Sequence, residues 1–332
     1  MTAGSSRANS TGGYEPPLQN VNPIDFRPLA ARLGPSLLRK RLHRQADMAA
    51  ELVHQGEGPL FIERFVPVDK IITSALRVAG LYRRGFTNCL DVRVNEREQP
   101  LTNLPPAFEG FRLLQLTDLH LDLLPGLADV VVRLVEQTPH DLAVITGDFA
   151  DHPAGYFHDC LADIRRIAGV LGPGALVCLG NHDIIEIVPQ LENAGLRVLL
   201  NENVSVDRAG EKLWFAGIDD PHFYATHDLE AARRGIPQGA CSILLSHSPQ
   251  TFDEARLLGF TFMLSGHTHG GQICLPGAFP LIRNGRCPGR MIRGAWDHRG
   301  MHGYTSPGTG ACGVPARFNC RPEVTVHVLR AA

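Results

Sequence analysis

The chain of 332 residues lacks a long hydrophobic run. Its most apolar early window, residues 71–81, is interrupted by Arg77 and is far shorter than the roughly 20 residues that a membrane-spanning helix needs. The first residues also lack the charged start, apolar stretch and small-residue cleavage site of a secretory signal. These absences predict a soluble, cytoplasmic protein.

Paired cysteines and an excess of one charge are also missing. The eight cysteines are scattered and form no C-x-x-C pair, so neither a zinc finger nor a disulfide scaffold is indicated, and a reducing compartment is favoured. The 32 Lys and Arg residues nearly balance the 34 Asp and Glu residues, which gives a net charge of −2. Because a near-neutral protein has no general attraction for polyanions, we expect no nucleic-acid partner.

Composition divides the chain into three parts. Residues 1–23 are rich in Ser, Gly, Asn and Pro and predict a mobile tail, because they bury too little to offset the entropy of ordering. Residues 24–103 predict a helical N-terminal extension, and residues 104–332 predict the main domain. Within the extension, apolar residues recur at helical intervals over 28–54 and again over 69–84.

A basic cluster on the first of these helical stretches leaves two interpretations open. We favour a solvated helix face that packs on the main domain. The alternative is a peripheral contact with an anionic membrane surface, such as that of the inner membrane. The cluster consists of Arg39, Lys40, Arg41 and Arg44.

From Phe111 onward, short apolar runs alternate with polar segments. Such runs are typical of buried strands in a sheet that is covered on both faces. Helical stretches over 127–137 and 160–170 separate several of them, so the pattern predicts an α/β fold. The runs cover residues 113–116, 142–145, 176–179, 243–245 and 260–264, and residues 323–329 form a last strand-like segment.

Side chains that bind metals follow five of these runs. In open α/β sheets, functional groups gather beyond the carboxyl ends of the strands, so residues far apart in sequence meet there. Carboxylate, imidazole and amide groups together suit Mn, Fe or Zn. One such motif alone is weak evidence, but five at strand ends predict a transition-metal site. The motifs are Asp118-x-His120, Gly147-Asp148, Gly180-Asn181-His182-Asp183, His247 and Gly266-His267-Thr268-His269.

This series resembles, in order and spacing, the calcineurin-like metallophosphoesterases. The segments Gly270-Gly271-Gln272-Ile273 and Pro315-x-Arg317 are similar to a bacterial branch of predicted phosphohydrolases that includes some lipid A precursor (UDP-diacylglucosamine) pyrophosphatases. The resemblance covers about residues 104–329. It implies a sandwich of two mixed β-sheets flanked by helices.

The resemblance also implies two divalent transition-metal ions (Mn, Fe or Zn) with one shared ligand. One ion would be bound by Asp118, His120, Asp148 and His269, and the other by Asp148, Asn181, His247 and His267. A metal-bridging hydroxide would attack the phosphorus. His182 would lie beside the substrate phosphate and protonate the departing oxygen or stabilise charge, with Asp183 as its orienting neighbour.

The implied activity is hydrolysis of a phosphodiester, phosphomonoester or pyrophosphate bond. Two alternatives stay open: an enzyme similar to UDP-2,3-diacylglucosamine pyrophosphatase at the membrane surface, and a non-catalytic metal-binding scaffold of the same fold. His222 follows another strand exit and is a candidate substrate contact, as are Arg283 and Arg286, although solvated loop residues are the competing interpretation for these arginines.

Overall fold

The computed structural model describes residues 24–54, 68–152, 157–281 and 285–332. The predicted tail, residues 1–23, lies outside the described residues. Residues 55–67 of the predicted extension and the candidate contact Arg283 also lie outside them. All predicted metal ligands fall within the described ranges.

Helices and short strands alternate through most of the described chain, as an α/β protein requires. The helices are α1 (Arg27–Leu33), α2 (Pro35–His54), α3 (Val68–Val78), α4 (Tyr82–Leu90), α5 (Leu127–Glu136), α6 (Phe157–Leu171), α7 (Val188–Asn193), α8 (Leu229–Arg233) and α9 (Phe252–Leu257). The strands are β1 (Arg93–Leu101), β2 (Arg112–Leu116), β3 (Leu142–Ile145), β4 (Leu176–Val177), β5 (Arg197–Val198), β6 (Glu202–Arg208), β7 (Glu211–Gly217), β8 (Ser242–Leu245), β9 (Phe262–Ser265), β10 (Cys274–Leu275), β11 (Phe279–Pro280), β12 (Gly294–His298), β13 (Met301–Thr305) and β14 (Glu323–Ala331).

The strands form two six-stranded sheets and one small hairpin, β10–β11. The first sheet has the order β1-β14-β2-β3-β4-β5 and is parallel except where β14 meets β2. The second has the order β12-β13-β9-β8-β7-β6 and is antiparallel only at its two outer pairs. Both sheets are therefore mixed, which confirms the predicted architecture.

Three apolar layers hold the sheets and helices together. Between the sheets, Leu113 and Val144 of the first belong to the same buried cluster as Ile243 and Phe262 of the second. A second layer joins α1, α2, α5 and α6 to the outer face of the first sheet. A third joins α8 and α9 to the outer face of the second sheet. Because both faces of each sheet are covered, central strands such as β3, β8 and β9 are buried and almost continuously apolar, which is the pattern that predicted them.

The N-terminal extension is only partly helical. Residues 69–84 form parts of two helices, α3 and α4, and residues 93–101 form β1 at the edge of the first sheet. The helical prediction for 24–103 is therefore wrong from Arg93 onward. Strand β1 reads RVNEREQPL, and its charged residues, typical of an exposed edge strand, leave no apolar run that would reveal it.

Helix α2 is held on the main domain by a fully buried arginine. The Arg41 Nη1 atom lies 3.2 Å from Oδ1 of Asp219, and both side chains are inaccessible to solvent. Its Nη2 donates a hydrogen bond of 2.6 Å to the Asp183 carbonyl. The guanidinium also lies 3.5 Å from the centroid of the Tyr224 ring. This side chain thus connects an N-terminal helix to the loop that follows β4.

Two further members of the basic cluster contact the same domain. Lys40 Nζ donates to the Ala225 carbonyl at 2.5 Å, and Arg44 Nη1 donates to the Phe223 carbonyl at 2.9 Å. These contacts support the interpretation of α2 as a helix packed on the main domain. Among the helices of the described ranges, none combines the length and the apolar character needed to cross a bilayer.

We expect Arg41→Met to destabilise the protein strongly, because it leaves the Asp219 carboxylate buried without a counter-charge. Breaking such a pair typically costs about 3–5 kcal/mol. Arg39→Met is the matched control, since Arg39 is exposed on the same helix and should change stability by less than about 0.5 kcal/mol. Urea unfolding followed by circular dichroism measures both. Equal effects of the two substitutions would contradict the role given to Arg41.

Candidate metal centre

The predicted ligands meet at the carboxyl ends of strands from both sheets. The first sheet supplies residues after β2, β3 and β4, and the second supplies residues after β8 and β9. Each strand is held by its neighbours, so the loops leave the sheets in fixed positions. The residues brought together are Asp118, His120, Asp148, Asn181, His247, His267 and His269.

One group of ligand atoms surrounds the Asp118 carboxylate. Its Oδ1 lies 3.2 Å from Nε2 of His269, and that nitrogen lies 3.2 Å from Nε2 of His120. His120 Nε2 is also 3.7 Å from Oδ2 of Asp148. Ligand atoms of Asp118, His120 and Asp148 all lie within 4.8 Å of one another. Two ring nitrogens that face each other between two carboxylates are well placed to share a cation.

A second group lies on the other side of Asp148. His247 Nε2 is 3.1 Å from Asp148 Oδ2 and 3.1 Å from Asn181 Oδ1. Nδ1 of His247 lies 2.7 Å from the Thr146 carbonyl, which can only accept, so Nδ1 carries the proton. Nε2 is therefore the nitrogen that a metal ion could bind in this group, in place of its proton. The Asp148 carboxylate is common to both groups.

His267 completes the second group with an unpartnered nitrogen. Its ring centroid lies 5.1 Å from that of His247, and its Nε2 is buried without a hydrogen-bond partner. Leaving a polar atom unsatisfied in the interior is unfavourable by roughly 1–3 kcal/mol. A cation bound by Asp148, Asn181, His247 and His267 would satisfy this nitrogen, so the donor set fits a metal ion.

The backbone is strained at most of these positions. Left-handed φ angles at residues other than glycine cost of order 1–3 kcal/mol and cluster at functional sites. Here they occur at five of the seven predicted ligands. The φ angles are 52° at Asp118, 42° at His120, 60° at Asp148, 70° at His267 and 49° at His269.

Two glycines leave room for the ligand carboxylates. A Cβ atom on Gly180 would lie 2.1 Å from Asp148 Oδ1, and one on Gly266 would lie 2.2 Å from Asp118 Oδ2. No side chain larger than hydrogen fits at either position without moving a carboxylate. The glycines of the Gly180-Asn181-His182-Asp183 and Gly266-His267-Thr268-His269 motifs are therefore required by close approach.

Charge in the centre is balanced between carboxylates and imidazoles. Burial alone would raise the pKa of Asp118, but His269 holds it well below its usual range, and His247 acts on the pKa of Asp148 in the same way. Conversely, burial opposes a charge on His247, yet Asp148 raises the pKa of His247 to about 10. The carboxylates are thus ionised near neutral pH, and metal ions would take the place of the imidazole protons.

His182 lies beside this centre and is oriented by a backbone group. Its Nδ1 donates to the Asp151 carbonyl at 2.5 Å, and its backbone N–H donates to Asp148 Oδ1 at 2.9 Å. Burial would lower the pKa of His182, but the carboxylates of Asp148 and Asp151 outweigh it and raise that pKa. The two carboxylates thus favour the protonated form of the ring.

Asp183 does not have the position expected for an orienting partner of His182. Its carboxylate accepts hydrogen bonds from three backbone N–H groups, those of Asp148 at 2.8 Å, Phe149 at 2.9 Å and Gly180 at 2.8 Å. Burial and the charge of Asp148 raise its pKa to about 6 despite these bonds. Asp183 thus ties together the loops after β3 and β4, and the Asp151 carbonyl orients His182.

A cavity of about 340 Å³ opens onto the ligand groups. His222 lies on its wall, with a ring centroid 4.1 Å from that of His267. Arg286 is exposed and directly follows Gly285, which lines the cavity. The lining residues are Asp148, Asn181, His182, His222, His267, His269, Gly285 and Cys312.

Three residues of the site were not assigned a role from sequence. Asp151 orients His182, and Cys312 lines the cavity. Arg317 is fully buried and donates to the carbonyls of Pro307 at 2.7 Å and Gly310 at 2.8 Å, and its Nη2 lies 3.4 Å from His269 Nδ1. Arg317 belonged to a recognised motif, but nothing in the local pattern marked Asp151 or Cys312.

Comparisons with known proteins agree with this geometry. A family model described as calcineurin-like phosphoesterase matches residues 111–271. The chain is 30% identical to the uncharacterized metallophosphoesterase YkoQ of Bacillus subtilis over 72% of this chain and 91% of that protein. It is 31% identical to the uncharacterized metallophosphoesterase YkuE of the same species, over 79% of this chain and 94% of YkuE. It is 28% identical to the phosphodiesterase YaeI of Escherichia coli, over 65% of this chain and 81% of YaeI. All seven predicted ligands lie within the range that the family model matches.

We expect Gly180→Ala to weaken metal binding, because the added methyl group would displace the Asp148 carboxylate. Gly169→Ala is the control, since nothing lies within 4 Å of a Cβ there and the residue is in α6. Metal content after dialysis against Mn²⁺, measured by elemental analysis, should fall in the first variant and stay unchanged in the second. Full metal content in a folded Gly180→Ala protein would show that the Asp148 carboxylate does not ligate.

Proposed function

The chain belongs to the calcineurin-like phosphoesterase family, and we propose that it hydrolyses phosphodiester bonds at a site that holds two divalent metal ions. The family supports a hydrolase that acts on phosphoric esters. The relative YaeI is named a phosphodiesterase, which favours a diester among the possible phosphate substrates. The observation that carries the proposal is the position of Asp148, whose Oδ2 lies 3.7 Å from His120 Nε2 and 3.1 Å from His247 Nε2.

The donor set fits two ions that share Asp148. Asp118, His120, Asp148 and His269 would hold one, and Asp148, Asn181, His247 and His267 would hold the other. Mixed carboxylate, imidazole and amide ligands suit Mn, Fe or Zn. When bound, such a pair lowers the pKa of water and neutralises charge on the phosphate oxygens.

His182 would act directly on the substrate. Its Nδ1–H donates a hydrogen bond to the Asp151 carbonyl, which fixes the orientation of the ring. Nε2 is therefore the ring nitrogen that can contact a substrate in the cavity. The raised pKa of His182 favours the protonated ring, so Nε2 can donate a proton to the oxygen that leaves the phosphorus. Asp183 acts as a positioning residue through the backbone of the Asp148 and Gly180 loops.

We expect His182→Ala to keep its metal but to lose turnover. General acid catalysis typically increases the reaction rate by about 10²- to 10⁴-fold. We therefore expect kcat for bis(p-nitrophenyl) phosphate to fall by about 10²- to 10⁴-fold. Asp148→Ala should lose metal as well as activity. Elemental analysis and steady-state kinetics with Mn²⁺ distinguish the two variants.

Two outcomes would contradict these roles. A His182→Ala protein that is metal-free would place His182 among the ligands. A wild-type protein that binds metal at full stoichiometry, yet hydrolyses no phosphate ester with any of Mn²⁺, Fe²⁺ or Zn²⁺, would favour the non-catalytic scaffold.

An apolar groove favours, as a second candidate, a phosphoester that carries an aliphatic chain. The groove has a volume of about 280 Å³ and lies beside the metal centre, with Asp69 and Ile72 of α3 in its lining. Ile72, Ile273, Leu281 and Val314 form its apolar wall, and His269 and Cys312 line both the groove and the cavity. Large apolar side chains are also exposed on α3 and at the β10–β11 hairpin: Ile71, Val78, Leu275, Phe279 and Leu281. The UDP-2,3-diacylglucosamine pyrophosphatase alternative is one specific form of this candidate.

We expect kcat/KM to rise along a series of alkyl p-nitrophenyl phosphodiesters, because each methylene buried in the groove contributes up to about 0.8 kcal/mol. Ile72→Asp should abolish this increase while leaving the methyl ester unaffected. Val78→Asp is the matched control, since Val78 is on the same helix but does not line the groove. A series with no dependence on chain length would eliminate the aliphatic candidate and leave the phosphodiesterase proposal intact.

A further inference from the structure

The geometry points to Cys312 as an additional, thiolate ligand of the metal ion bound by Asp118, His120, Asp148 and His269. This inference rests on the proposed function, since it concerns one of the two ions. The Cys312 Sγ atom and one ring nitrogen each of His120 and His269 all lie within 4.8 Å of one another. Sγ is also 3.8 Å from Nε2 of His182. Sulfur is therefore within the same small space as two predicted ligands.

The backbone around Cys312 is fastened to the loops that carry these ligands. The Cys312 N–H donates to Gln272 Oε1 at 2.9 Å, and Gln272 Nε2 donates to the carbonyls of Cys312 at 3.1 Å and Val314 at 2.8 Å. Gln272 follows His269 in the loop after β9. Because one glutamine binds on both sides of Cys312, the thiol is held at a fixed distance from the His269 ring.

The segment before Cys312 is bound to the Asp118 loop. The Thr309 N–H donates to the Thr117 carbonyl, and the Gly310 N–H donates to the Asp118 carbonyl, both at 2.8 Å. On the other side, the Gly313 N–H donates to Asp151 Oδ1 at 3.0 Å. Residues 309–313 are thus held by the loops that follow β2, β3 and β9, each of which carries predicted metal ligands. This arrangement directs the Cys312 Sγ atom to the metal centre.

Cys312 differs from the other cysteines in its surroundings. It lines the cavity, whereas no other cysteine of the described chain does so. Cys320 is also near His269, but its Sγ lies 3.4 Å from the His269 carbonyl and not near a ligand nitrogen. Cys320 therefore provides a matched control: a buried thiol near the same histidine that does not belong to the ligand cluster.

Ligation changes the chemistry of the thiol and of the ion. The thiolate, and not the thiol, is the form of cysteine that binds a metal ion, so the thiol proton must be lost on binding. Binding would replace that proton by the metal and release it to solvent. Thiolate is a soft ligand, so a site with Cys312 binds Zn²⁺ or Fe²⁺ in preference to Mn²⁺ more strongly than the same site without it.

The test is a titration of the metal-free, full-length chain with Co²⁺ in the presence of a reductant. We expect the wild type to develop a sulfur-to-cobalt charge-transfer band in the near ultraviolet whose intensity at saturation corresponds to one Co–S bond per chain. Cys312→Ser should bind Co²⁺ but lack the band, and Cys320→Ser should keep it. Competition should show that Cys312→Ser loses at least about tenfold in Zn²⁺ affinity relative to Mn²⁺, the lower end of the loss seen when a partner of a ligand is removed.

The possible failures separate this inference from the proposed function. Wild-type protein that binds two Co²⁺ ions without a charge-transfer band, or Cys312→Ser that retains the band, would overturn the role of Cys312 and leave the two-metal site standing. Wild-type protein that binds no Co²⁺ would overturn both. Thermal unfolding of each serine variant verifies that a lost band does not reflect a lost fold.

Discussion

The structure depends on keeping the Asp148 carboxylate ionised in a site that solvent barely reaches. Its Oδ2 faces His247, its Oδ1 accepts the His182 N–H, and the two ligand groups meet at this side chain. A buried charge without partners is strongly unfavourable, so the neighbours must supply positive charge or hydrogen bonds. The imidazoles do so in the metal-free chain, and divalent ions would do so more fully. The glycine at position 180 is fixed by the same constraint, because any Cβ there would meet this carboxylate.

The loops that deliver the ligands are strained, and the sheets stabilise them. Asp118 and Asp148 have left-handed φ angles, which isolated loops would not keep. The loop of Asp148 is tied by its N–H to the Asp183 carboxylate, and the Asp183 carbonyl in turn accepts from Arg41 of α2. Thus an N-terminal helix outside the matched family range is connected by two side chains to the centre of the site. This packing explains why the helix carries a buried arginine where its sequence reads as a basic surface.

The sequence predicts what is local and misses what depends on distant partners. The strands that precede the ligands are recognisable because burial on both faces makes them continuously apolar, and the ligand residues follow them directly. Strand β1 is missed because it lies at a sheet edge and is mostly charged. The burial of Arg41 depends on Asp219, and the position of Cys312 depends on Gln272, neither of which is near in sequence. The Asp183 carboxylate accepts from three backbone N–H groups instead of contacting the His182 ring, because adjacency in sequence does not show where a carboxylate points.

The wall shared by the cavity and the apolar groove would let the same side chains influence both metal binding and the choice of substrate. His269 and Cys312 line both spaces, so an aliphatic group in the groove would lie against the same side chains that approach one of the ions. A cysteine at this position would suit both spaces, because a thiol packs as a small apolar group and its thiolate binds a metal. A serine at this position would retain the size but bring a hydroxyl that has to be satisfied in the groove. Cysteine is thus a residue type that would suit both an aliphatic group in the groove and a transition-metal ion in the cavity.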